Sequence, residues 1–83
     1  MSTREVLIVL AHAQMCERCN DLLLQDPASV TRGRALTEEE KAVLGGVVAT
    51  DFTSAERLAE AAGYELAELT EYFDHPVARL RHF

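Results

Sequence analysis

Tryptophan is absent from this 83-residue chain, aromatic residues make up 6% of it, and there are only two cysteines, two prolines and four glycines. Two cysteines cannot build the multi-bridge framework that staples small exported domains. So little proline and glycine, beside 48% apolar residues and no low-complexity tract, excludes collagen-like and disordered chains and leaves a globule. Long hydrophobic runs are missing too. The most apolar stretch, Val6–Ala13, falls far short of the roughly 20 residues that cross a bilayer. The start Arg4-Glu5 is not followed by a small-residue cleavage pattern, so a cytoplasmic protein with no membrane partner is expected. In that compartment Cys16 and Cys19 are thiols or metal ligands rather than a structural disulfide.

Basic residues are scarce, and unevenly so. The net charge is −6. Residues 1–37 balance four acids against four bases, whereas residues 38–74 hold ten acids against two bases, and Arg79 and Arg81 follow. An acidic block of this kind repels phosphate backbones, so nucleic acid is not the expected partner and a basic protein is.

The pattern that is present is helical. One domain over 1–83 is expected, since two cores in so short a chain would each need outside support. Ser2 and Glu5 stand at capping-box spacing, and helix formers run on to Gln25, which predicts a first helix over about 3–24, the longest and central one. A buried strand EVLIVL leading into a helix that starts near Cys16 is the competing reading of the same residues. Asp26-Pro27 ends the segment, and a connector or one short turn follows. Thr37 with Glu40 opens a second helix that Gly45-Gly46 stops, with an extended stretch at 47–50. Ser54 or Thr53 opens a third helix, closed by Gly63, and a fourth spans about 65–73. Asp74-His75-Pro76 then caps a last turn or two. The class is all-α, a small bundle of four to five short helices. Val6, Leu7, Ile8, Val9 and Leu10 make the first turns apolar nearly all round, and so few short helices are expected to leave them uncovered. A second copy in a homodimer, or another protein, is therefore expected to pack there.

On an unbroken helix His12, Cys16 and Cys19 stand at i, i+4 and i+7 and project from one face. Imidazole and two thiolates form a ligand set that zinc accepts, with His75 or His82 as the other histidines able to complete it. The bland alternative is that both cysteines pack as small apolar groups, in which case the chain needs no cofactor. A disulfide between them is disfavoured on such a helix, because Cβ atoms about 5–6 Å apart exceed the roughly 3.5–4.5 Å that the bond requires. A strand followed by CERC at a helix start is how thioredoxin-like proteins present their thiols, but the helices downstream exclude that fold.

Residues 57–72, RLAEAAGYELAELTEY, resemble the helix-turn-helix of DNA-binding repressors. Ala61-Ala62 stand at the helix crossing, Gly63 in the turn, and Leu66 and Leu69 on the second helix. That resemblance implies a transcription regulator, with Arg32, Arg34, Arg79 and Arg81 for phosphate contacts. Glu65, Glu68 and Glu71 would face the groove, however, and carboxylates suit a protein contact better. Residues 22–44, LLLQDPASVTRGRALTEEEKAVL, resemble the small-subunit helical domain of extradiol ring-opening dioxygenases, also seen in recognition domains of borosin-type precursors. The match departs after Leu44, at Gly45-Gly46. It implies an accessory or docking role with no catalytic residue to carry over. No nucleophile elbow, phosphate loop or paired buried carboxylate can be assembled, so an enzyme is not expected. The expected function is a small regulatory or accessory interaction module, docking through Val6–Leu10 and offering Glu65, Glu68 and Glu71. The alternatives are a DNA-binding regulator and a metal or thiol sensor built on His12, Cys16 and Cys19.

Overall fold

A computed structural model describes residues 3–33 and 36–80. The fold is all-α, with no strand among the described residues. In chain order the helices are α1 (Thr3–Met15), α2 (Glu17–Gln25), α3 (Pro27–Thr31), α4 (Glu38–Gly46), α5 (Ala55–Ala62), α6 (Leu66–Phe73) and α7 (Pro76–Leu80). Of the extended stretch read at 47–50, Val47 and Val48 are extended, and a 3-10 turn at Ala49–Thr53 then leads to α5.

Local signals account for most of these boundaries. The Thr37 hydroxyl accepts from the Glu40 amide at 3.2 Å, and the Glu40 carboxylate accepts from the Thr37 amide at 2.9 Å. That reciprocal pair satisfies donors the first turn of α4 leaves open. Ser54 Oγ accepts from the Arg57 amide at 3.1 Å and opens α5. Gly63, at φ 81°, closes α5 in the left-handed conformation that glycine adopts without a Cβ penalty. The start of α7 is capped differently from expectation: His75 Nδ1, and not Asp74, accepts from the Val77 amide at 3.2 Å. The Ser2 cap, Arg34, Arg81 and His82 lie outside the described residues.

The first helix is not one helix. Cys16 takes an extended conformation, φ −117° and ψ 107°, so α1 stops at Met15 and α2 starts at Glu17. The segment EVLIVL is helical, so the strand reading fails, although the part of it that put a helix start near Cys16 holds. Length explains the break. A straight helix over 3–24 would reach about 33 Å at 1.5 Å per residue, yet the molecule measures 26 × 26 × 23 Å along its principal axes. A continuous helix would leave Leu22 and Leu23 projecting from the body. Breaking at Cys16 changes the direction of α2, which packs against α1 and α4 with Leu23 buried.

The expectation that Val6–Leu10 require a second copy is corrected. Val6, Leu7, Ile8, Val9 and Leu10 are 0%, 3%, 2%, 0% and 0% exposed within one chain. Helix α1 packs against α2, α4, α6 and α7 together, and the surrounding helices supply Leu23, Leu44, Leu69 and Ala78 to a shared core. Short helices suffice because they approach from several directions, each covering one strip of a helix only about 20 Å long. Burial of an aliphatic side chain of this size is worth roughly 1.5–3 kcal/mol, so these five residues drive folding of the protomer and present no face for docking.

Tyr64, just past Gly63, shows the acidic block acting on the fold. Partial burial first, then the carboxylates of Glu40 and Glu68, raise its phenol above the ordinary value. A phenol raised in the folded state stabilises the fold below its unfolded value of about 10, and that contribution is lost as pH climbs through the folded value. In a Tyr72→Phe variant, where Tyr64 is the remaining tyrosine, the tyrosinate absorbance of the native protein should rise at higher pH than in the urea-unfolded protein. Coincident midpoints would show that neither burial nor the acids act on it.

Candidate metal centre

The break at Cys16 assembles a site. His12 lies in the last turn of α1, Cys16 is the residue that caps α2, and Cys19 is the third residue of α2. One ligand atom from each, a ring nitrogen and two sulfurs, all lie within 4.8 Å of one another. The three residues come together as the spacing suggested, but by another route. The sequence reading placed them on one face of a continuous helix, whereas here the extended residue folds its thiol back over the first turn of a second helix. The same arrangement of cap and third residue holds Thr37 against Glu40 and Ser54 against Arg57.

Their environments differ. His12 is 1% exposed and Cys19 6% exposed, while Cys16 is half-buried and reaches solvent. The His12 Nδ1 lies 2.7 Å from the backbone oxygen of Ala78 on α7. A carbonyl can only accept, so Nδ1 carries the proton and the lone pair of the neutral ring sits on Nε2. Metal-binding histidines are ordinarily oriented in this way, by a carbonyl or carboxylate behind the ring. Hydrogen bonding from the Cys19 amide and thiol holds the Cys16 thiol below its ordinary value, with a smaller contribution from the Arg18 charge. The first turn of a helix favours negative charge in any case.

The donor set suits zinc. With Zn–S near 2.3 Å and Zn–N near 2.0–2.1 Å, tetrahedral ligand atoms stand roughly 3.5–3.8 Å apart. From separations of up to 4.8 Å the three atoms need to close by about 1.3 Å at most. Three protein ligands leave a fourth position for water or an outside donor. His75, proposed as that fourth ligand, is not in the cluster; it caps α7 and its ring lies 5.5 Å, centroid to centroid, from that of Tyr72.

The other sequence candidates fall elsewhere. Helices α5 and α6 pack against each other across Gly63, with Leu58, Ala59, Ala62 and Leu69 buried. Glu65, just before α6, and Glu68 and Glu71 on it are exposed and outside the cluster. Glu68 also caps its own helix, accepting from the Glu65 amide at 3.1 Å. Arg32 and Arg79 are exposed. The Ala78 carbonyl had no signature in the sequence, because any residue supplies one and this one lies 66 positions from His12. Compared with protein-family models, with curated proteins and with solved structures, the chain matches none.

Proposed function

We propose that this chain is a small accessory or regulatory module that binds zinc through His12, Cys16 and Cys19, with the fourth position completed by water or by a donor from a partner protein. The observation that carries this reading is the meeting of three zinc-type donors within 4.8 Å, the imidazole being already oriented by a backbone carbonyl. A pair of cysteines packed only as apolar groups has no need of a half-buried sulfur facing a buried imidazole. DNA binding gains no such support, since Glu65 at the start of α6 and Glu68 and Glu71 on it are exposed carboxylates.

Metal-free protein, titrated with zinc in competition with a chromophoric chelator, should take up one equivalent. Cobalt(II) in its place should give thiolate-to-metal charge-transfer absorption and the intense visible bands of a tetrahedral ion. Failure to compete with the chelator, together with a cobalt spectrum no different from the aquo ion, would overturn the reading.

A further inference from the structure

The same geometry points to a second chemistry. We propose that Cys16 and Cys19 are a redox pair that peroxides convert to an intramolecular disulfide, and that closing this bond dismantles the His12–Cys16–Cys19 site.

The objection to such a bond came from a continuous helix, in which residues three apart hold their Cβ atoms too far from each other. That objection lapses here because Cys16 is extended, at φ −117° and ψ 107°, and only Cys19 is helical. A residue that caps a helix turns its side chain over the third helical residue, as Thr37 and Ser54 do elsewhere in the molecule. The two sulfurs already lie within 4.8 Å. Accessibility assigns the roles: an oxidant from solvent meets the half-buried Cys16 first, while Cys19 is shielded beneath it. The sequence has no third cysteine to compete.

The reaction balances with a peroxide as oxidant. The Cys16 sulfur attacks one peroxide oxygen, an S–O bond forms, the O–O bond breaks, and the thiol proton leaves with the departing oxygen as an alcohol or water. Cys16 is then a sulfenic acid. The Cys19 sulfur attacks the Cys16 sulfur, S–S forms, S–O breaks, and the Cys19 proton departs with the hydroxyl as water. Two thiols have lost two electrons and the peroxide has gained them. Both thiolates are thereby withdrawn from the metal, and His12 alone cannot hold it.

Formation of the disulfide stands independently of the zinc reading; only the release of metal rests on it. Chelator-treated protein is exposed to hydrogen peroxide, blocked with a thiol alkylating agent and weighed. The expected product is a monomer lighter by two hydrogens that takes up no alkylating agent. In Cys19→Ser, Cys16 should remain as a sulfenic acid trapped by dimedone, and in Cys16→Ser the remaining thiol should react about tenfold more slowly, having lost the exposed sulfur. Both thiols still alkylated under conditions that oxidise free cysteine, or covalent dimers as the main product, would overturn the pair. Zinc-loaded protein treated in the same way should release metal in step with the disulfide. Zinc uptake by reduced protein without a disulfide on oxidation sinks the redox pair alone. A disulfide in a protein that takes up no zinc sinks the metal reading alone.

Discussion

Replacing Leu10 by alanine should lower the free energy of unfolding by about 3–4 kcal/mol, inside the usual range for truncating a buried leucine. Leu10 is 0% exposed at the centre of α1, the helix that touches α2, α4, α6 and α7. Its loss removes transfer free energy and leaves a cavity that four helices cannot all move to fill. A chain of this length has roughly 4–12 kcal/mol of net stability, so the variant loses its fold only if the parent lies at the bottom of that range. Urea denaturation gives the number from the shift in midpoint. Val48→Ala, at a side chain 55% exposed, serves as the control and should fall within about 0.5 kcal/mol of the parent. The same experiment separates the two accounts of Val6–Leu10. If these side chains formed an interface between copies, Leu10→Ala would chiefly weaken assembly, and the parent's melting temperature would rise with protein concentration. The burial within one chain predicts a midpoint that does not depend on concentration and a large loss of stability in the protomer. A change below about 1 kcal/mol would contradict the packing described.

Cys16→Ser should reduce zinc affinity at least about 100-fold, since disturbing only the groups that orient a ligand already costs 10–100-fold. Cys16 is the ligand to change first, because it is half-buried and serine is a favoured residue at the position before α2. The fold should therefore persist, as the far-ultraviolet circular dichroism of the variant will show. Cys19→Ser should give a similar loss of affinity. His12→Gln is expected to act on two levels. It removes a ligand, and it also takes from the Ala78 carbonyl its 2.7 Å partner, a loss on the order of 1–3 kcal/mol for a buried polar group. Affinity unchanged in both cysteine variants would mean that zinc, if bound, is held elsewhere.

How much of this could be read in the sequence differs from element to element. Helix α4 was legible at its start because the side chains of Thr37 and Glu40 accept from each other's backbone amides, and α5 at both ends because Ser54 and Gly63 are local signals. The break at Cys16 was legible only in the competing strand reading, which started a helix near it. No proline or glycine marks it, and its cause is the 26 Å width of a body that exists only once the other helices have packed. The covering of Leu7, Ile8 and Leu10 was misjudged for the same reason. Burial is a sum over helices distant in sequence, and counting short helices does not say that they converge on one.

The candidate site divides along the same line. Its residue types and spacing, His12 with Cys16 and Cys19, were written in the sequence; its geometry was not. An extended residue between two helices brings the thiols together, and a carbonyl on α7 orients the imidazole.

Sequence alone determined the all-α class, the capped helices and the identity of the three donors, because helical periodicity and capping are properties of neighbouring residues. Tertiary structure decided that α1 is enclosed by its own chain and that the helix yields at Cys16. Both depend on where distant segments meet, and the free energy of burying α1 is realised only when they do.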